Sequence, residues 1–436
     1  MERRVLAFLP FLVLLAAVGT AAVLSFGPRA GASSVPASAT APGVAGVTMG
    51  TGGETWFMNL SSSEQASWIS TMVADGVKWL RIDSPGDLAG WYNTEIADAE
   101  AAGINVDVVI ETWGMSSVSA STMGPMCTSQ VKQMEPLGVE TYEVINEPNV
   151  NGYSAADYEP LLAACDSAIK AADSGAEVLM GGLADAGGSE AAATYLAAVY
   201  AAGGGAYFDA MNMHPYDYTP NLATDDQQYP TTAADCPGNE WNPWVDCPYD
   251  NGANNNNQQQ EISSVRTEMN QNGDSAKAIW LTEFGCPTGT DGGYSAVCTD
   301  ATLAQEITDA FQQVQANPGD EYGLLGPLFV YDLIDTNSSD DASGSGYDDF
   351  GLYTDTCAAK PGALSAFESG AQAGGGSSTT TCSKGRDLHR RRKGHRHAHR
   401  RSAGAFSARV TSGPFAREAS GQRGPSTITA VSSVRT

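Results

Sequence analysis

Between residues 44 and 371, short apolar runs alternate with longer segments in which apolar residues recur every three or four positions. The short runs are rich in β-branched and aromatic residues. They read as strands at Val44–Met49, Lys78–Asp83, Asn105–Glu111, Thr141–Asn146, Glu177–Gly182, Phe208–Met213, Lys277–Glu283 and Leu324–Tyr331. The longer segments predict amphipathic helices, clearest over Ser63–Ala74, Asn93–Ala102, Ala155–Ala172, Glu190–Ala202, Gln258–Asn270, Ala301–Gln315 and Pro361–Ser369. Strand followed by helix implies parallel crossover units, and eight such units predict an α/β fold closed as a (β/α)8 TIM barrel. An open doubly wound sheet is the alternative. It wants a Gly-rich phosphate turn after its first strand, and Met49-Gly50-Thr51-Gly52-Gly53 is too degenerate to supply one.

Two of the strand-like runs end in a carboxylate. Glu147 closes the run that begins at Glu143 and precedes Pro148, and Glu283 closes the run from Ile279 and precedes Phe284-Gly285. An apolar strand that stops at an acid before a Pro or Gly turn delivers that acid to the rim where barrel enzymes do their chemistry. A pair of such acids suits glycoside hydrolysis, in which one protonates the leaving oxygen while the other attacks the anomeric carbon or activates water. The blander reading is that each glutamate merely ends a strand.

Five short motifs carry a resemblance. They are Arg81 within Trp79-Leu80-Arg81-Ile82-Asp83, then Asn146-Glu147-Pro148, His214-Pro215-Tyr216, Thr282-Glu283-Phe284-Gly285, and Gly351-Leu352-Tyr353 followed by Lys360-Pro361. With these, roughly residues 44–371 resemble the clan A glycoside hydrolases, retaining (β/α)8 enzymes, and families 5 and 39 in particular. The resemblance implies that Glu147, on the fourth strand, is the general acid/base and Glu283, on the seventh, the nucleophile. It further implies a carbohydrate substrate; no cofactor and no metal are expected.

A retaining mechanism needs one carboxyl group protonated and the other ionised. Arg81, at the end of the second strand, is placed to keep Glu283 ionised, and Asn146 to bond a sugar 2-hydroxyl. His214 and Tyr216 are expected to orient the nucleophile or a sugar hydroxyl. Trp113, Trp241 and Trp244 are expected sugar-stacking platforms, since a pyranose face is apolar enough to pack on a ring. Tyr331 stands where a Trp often lies beneath the reactive sugar, a departure that bears on substrate rather than on reaction class.

Composition and charge restrict the alternatives. The chain of 436 residues has a net charge of −27; from Lys384 onward 13 Lys/Arg face only Asp387 and Glu418, so that segment is +11 and residues 1–383 are −38. An acidic body whose only arginines between Ser33 and Ser383 are Arg81 and Arg266 is not built for nucleic acid. His214 is the only histidine before residue 389, and Gly-x-Ser-x-Gly is missing, which disfavours a Ser-His-Asp triad. No Cys-x-x-Cys pair points to zinc, and the acidic loop from Asp335 to Asp341 fits no EF-hand spacing.

Residues 1–32 join Glu2-Arg3-Arg4 to an apolar stretch and read as an export signal, with Ala30-Gly31-Ala32 as a cleavage site, or as a retained membrane anchor. Eight cysteines in an exported chain favour disulfides. Cys236 with Cys247, Cys286 with Cys298, Cys127 with Cys165 and Cys357 with Cys382 are plausible pairs, which sequence alone does not fix. Residues 33–373 form the expected catalytic domain, and 374–436 a Gly/Ser/Thr linker and basic tail, disordered by composition. The chain thus reads as a secreted or surface-anchored monomeric glycosidase. Its competitor is a catalytically silent carbohydrate-binding barrel.

Overall fold

The structure, a computed structural model, describes residues 45–49, 57–85, 93–113, 115, 117–184, 186, 188–216, 262–288, 298–316, 323–335 and 349–371. The chain divides into two units, Met1–Gly385 and Arg386–Thr436, and every described residue belongs to the first. The expected leader, linker and tail, and Trp241 and Trp244 with the Cys236–Cys247 loop, lie outside the described residues.

Among the described residues, eight parallel strands alternate with eight α-helices. The strands are β1 (Ala45–Met49), β2 (Trp79–Pro85), β3 (Asn105–Glu111), β4 (Thr141–Val144), β5 (Glu177–Met180), β6 (Met211–His214), β7 (Ile279–Leu281) and β8 (Leu325–Tyr331). The helices are α1 (Ser62–Asp75), α2 (Asn93–Ala101), α3 (Ala120–Met134), α4 (Ala155–Ala172), α5 (Ala192–Ala202), α6 (Ile262–Gln271), α7 (Asp300–Ala316) and α8 (Pro361–Gly370). A two-residue segment, Leu183–Ala184, continues β5 beyond Gly181-Gly182 and pairs with Met213 and His214. The sheet runs β5, β4, β3, β2, β1, β8, β7, β6 and returns to this continuation of β5. A bridge between Leu179 and Ala210 joins β5 to the approach of β6, so the barrel is a (β/α)8 barrel as the alternation predicts.

Strand parity separates two interiors. Leu80, Ile82, Val106, Val108, Tyr142 and Val144 pack outward among the helices in the main core. Trp79, Leu179, Ala210, Ala278, Trp280 and Phe329 form a separate apolar layer inside the barrel. Above this plug the inward positions turn polar, beginning with Arg81. That change from apolar to polar along one lumen positions the site.

Local chemistry explains the helix ends. Ser61 and Glu64 form a capping box at the start of α1, and Gly76 ends it at φ 91°. Helix α3 is the one that periodicity alone does not single out, because Gly124 and Pro125 lie within it. It forms because Met123, Met126, Cys127, Val131 and Met134 are buried along one face and Cys127 is bonded to Cys165 of α4. The other described bridge is Cys286–Cys298, and Cys357 is bonded to a partner outside the described residues. Among the described residues no helix is long and apolar enough to cross a membrane.

Candidate active site

Strands around the barrel deliver polar side chains to one site. β4 stops at Val144, two residues short of its expected end, and the chain leaves it with Ile145 at φ 66° and Glu147 at φ 46°. Left-handed backbone at a β-branched residue and a Glu costs about 1–3 kcal/mol each, strain that persists where the surroundings hold it. Here the surroundings are specific. Glu111, at the end of β3, accepts from the Asn146 amide at 3.0 Å, and the Glu147 amide donates to the Gly182 carbonyl at 3.0 Å. Asn149 ties the following turn to Ala184 through both ends of its side chain.

Arg81 lies at the centre, 1% exposed. Its Nε and one terminal nitrogen grip Glu143 at 2.8 and 3.1 Å, the same terminal nitrogen donates to Asn146 Oδ1 at 2.9 Å, and the other reaches Glu283 Oε1 at 2.6 Å. The expected Arg81–Glu283 contact is present. Glu143, which the sequence places inside the strand Thr141–Asn146 without a role, is the other half of the clamp: it is fully buried and also accepts from the Gly182 amide at 2.8 Å. The signal for it was a lone acid inside an otherwise apolar strand run, which parity points into the lumen.

His214, the last residue of β6, meets both glutamates. Its Nδ1 is 2.9 Å from Glu147 Oε1 and 3.4 Å from Glu283 Oε2, and Tyr216 donates to Glu283 Oε2 at 2.8 Å. One oxygen of Glu147, one His214 nitrogen and one oxygen of Glu283 all lie within 4.8 Å of one another. This donor set is of a kind that could surround a cation, but Arg81 and Tyr216 already occupy the two oxygens of Glu283, which suits proton chemistry better. Cys286, Cys298 and Glu306 also cluster, with the two sulfurs joined to each other.

Close approach explains the glycines that interrupt the fifth strand. A side chain at Gly182 would begin 2.2 Å from His214 Nε2, and one at Gly181 would begin 2.0 Å from the Ile145 carbonyl oxygen. Tyr331, at the end of β8, packs edge-on to Tyr216 with ring centres 6.3 Å apart, and Phe350 contacts both rings. Trp113 stands on the loop after β3, 43% exposed, outside the hydrogen-bonded network that joins the other residues. Lys360 of the last motif is buried and bridges Asp335, Thr288 and the Asp349 carbonyl, so Asp335 is held in an ion pair.

The polar lumen is rich in acid. Burial, reinforced by neighbouring carboxylates and opposed by Arg81, raises Asp83 to about 7 and Glu111 to about 8. Burial and Asp209, opposed by Lys170, raise Glu177 to about 8. Asp107 is pushed well above the usual range, first by burial and then by Glu143, and both its oxygens lack a hydrogen-bond partner among the described residues. Burial would lower the His214 imidazole, but Glu283 and then Glu147 outweigh it and raise the pKa above 6.5. Each raised group supports the fold fully below its unfolded pKa and withdraws that support as pH rises through the folded value. Thermal unfolding should therefore occur at a higher temperature at pH 5 than at pH 8, with Asp107→Asn flattening the dependence. Calorimetry showing equal or greater stability at pH 8 would contradict this account of the lumen.

No protein-family model matches the sequence, and no curated protein does either. Solved structures match at the level of fold. GH5_18 from Streptomyces cattleya, in complex with GlcNAc, superposes with a TM-score of 0.53 at 14% identity, over 77% of this chain and 80% of that one. The β-glucosidase from Thermotoga maritima, in complex with glucoimidazole, gives 0.50 at 13% identity over 78% and 99%. A glucosidase from Croceicoccus marinus gives 0.49 at 14% identity over 70% of this chain, which spans 63% of that protein's length. The chain shares its (β/α)8 barrel with solved glycosidases.

Proposed function

We propose that this protein is a retaining glycoside hydrolase that cleaves O-glycosidic bonds, β in configuration, in an oligosaccharide or polysaccharide. The observation that carries the reading is the facing pair of carboxylates, Glu147 and Glu283, on either side of His214 Nδ1 and with one oxygen of each within 4.8 Å of the other. Retaining enzymes hold their carboxyl groups about 5–5.5 Å apart, whereas inverting enzymes leave about 6.5–9.5 Å for a water. The surroundings of the two differ. Glu283 accepts from a guanidinium at one oxygen and from a phenol at the other, while Glu147 lies 2.9 Å from an imidazole nitrogen.

The chemistry follows in two halves. Glu147 gives its proton to the glycosidic oxygen as Glu283 attacks the anomeric carbon, so the leaving group departs as an alcohol and a glycosyl ester forms on Glu283. Glu147, now a carboxylate, takes a proton from water, whose oxygen displaces Glu283 from the anomeric carbon and restores the starting configuration. Asn146, bonded to Arg81 through its side-chain oxygen, has its side-chain nitrogen Nδ2 uncommitted among the described residues and suited to a sugar hydroxyl. Trp113, Tyr331, Trp241 and Trp244 remain the proposed sugar contacts. The disulfides of the body and the leader-like first 32 residues support an exported protein.

A panel of β-linked glycans, including β-glucosides and GlcNAc-containing oligosaccharides in view of the ligands of the similar structures, tests the reading. Proton NMR of the first-formed product on a cleaved substrate should show the β anomer before mutarotation. The α anomer appearing first would reject the double displacement. Binding without cleavage across the panel would leave a carbohydrate-binding barrel.

A further inference from the structure

One hydroxyl decides where His214 keeps its hydrogen. Thr282 Oγ1 donates to Asn212 Oδ1 at 2.8 Å. A hydroxyl has a single hydrogen, so toward His214 Nε2, at 3.1 Å, Thr282 can only accept, and Nε2 carries an N–H. The three side chains are sealed from solvent: Thr282 and Asn212 have no exposed surface and His214 is 1% exposed. The Thr282 backbone is pinned on both sides, its amide donating to the Met213 carbonyl and its own carbonyl accepting from Thr48 Oγ1. Gly182 lies against the imidazole where any side chain would collide with it.

With Nε2 committed, only Nδ1 faces the cleft. We propose that Thr282 is a positioning residue: by holding Nε2–H it fixes the His214 tautomer, so that Nδ1 and Glu147 Oε1 together hold one proton. Written out, Glu147–OH against a bare Nδ1 and Glu147 carboxylate against H–Nδ1 contain the same atoms and differ only in where that proton sits. As the glycosidic bond breaks, the proton passes from Glu147 to the leaving oxygen, drawn back from Nδ1 where it rests there, and leaves neutral His214 beside the Glu147 carboxylate. This last step rests on the proposed retaining reaction; the tautomer does not. The charged and titratable groups that face His214 are Glu147, Glu283 with its partner Tyr216, and Arg81 and Asp83 from β2.

The test uses full-length protein with 15N-labelled histidine. The His214 signals are identified by their loss in His214→Gln, which separates them from the four histidines at 389–399. In the wild type the neutral ring should carry its hydrogen on Nε2. In Thr282→Val, nearly equal in volume, the hydrogen should move toward Nδ1 and the ring's titration midpoint should shift down, while Thr282→Ser restores both. Turnover on a glycoside with a poor, alcohol-like leaving group should fall on the order of tenfold in Thr282→Val, part of the 10²–10⁴ that a positioned acid contributes. A nitrophenyl glycoside, which needs little protonation, should be nearly unaffected. An unchanged tautomer in folded Thr282→Val, or equal loss on both leaving groups, would overturn the proposal. Should the wild type cleave no glycan, the retaining reading fails while the nitrogen spectra still decide the role of Thr282.

Discussion

Replacing Glu283 by alanine should reduce turnover on the order of 10⁴-fold, the effect expected of losing the proposed nucleophile. Azide should then restore cleavage with the opposite anomeric outcome, because a small anion entering the space left by the carboxylate attacks the same face and gives a stable glycosyl azide. Glu147→Ala should behave differently. In the proposed reaction it removes the proton donor, so ordinary glycans should be nearly inert while activated nitrophenyl glycosides still glycosylate Glu283 and the slow step becomes hydrolysis of the ester. The two variants thus separate roles that a simple loss of activity would not. Ordinary glycan turnover surviving in either variant would remove that residue from the chemistry.

The second large effect is on stability. Arg81→Leu would leave Glu143, which has no exposed surface, with only the Gly182 amide as a described donor. Glu143→Leu would strip Nε of Arg81 of its partner while the guanidinium stays 99% buried, as its 1% exposure implies. Removing one member of a buried pair costs about 3–5 kcal/mol, because the remaining charge keeps its desolvation penalty without its partner. In a domain of this size that should lower the unfolding temperature on the order of 10 °C. The double variant Arg81→Leu/Glu143→Leu should recover much of this, since apolar side chains in place of a buried pair are often close to neutral. It should stay inactive, because Glu283 has lost its Arg81 donor. Losses that simply add in the double variant would show that the two residues do not act as an energetic unit.

The acid-rich lumen connects these results to the working conditions of the protein. Burial is the first cause that raises Asp83, Asp107 and Glu111, with neighbouring carboxylates adding to it and Arg81 opposing it, while Glu177, beside Asp209 and Lys170, is raised by burial and Asp209. The site sits on a polar layer that favours acid, above an apolar plug of Trp79, Trp280 and Phe329. Thr282 and Asn212 carry that layer to His214 on the opposite side of the barrel.

The sequence by itself determined the repeating architecture, because the signals for it are local. Alternation of Leu80 and Ile82 with Trp79 and Arg81 sets the two faces of a strand within a few residues. Ser61, Glu64 and Gly76 set the ends of a helix within one turn. Acids at the ends of apolar runs made Glu147 and Glu283 legible, and Arg81 stood out in a body with two arginines. Only the tertiary structure decided what those residues meet. Arg81 grips Glu143 from 62 positions away, and His214 reaches Thr282 across 68. Strand parity says that a side chain points into the lumen, but the register of eight strands and the tilt that closes them determine which inward groups come within hydrogen-bonding distance. The gap at Gly181-Gly182 could not be read as space for an imidazole until the fold brought His214 against it, because a glycine in a strand reports room to be filled without naming what fills it.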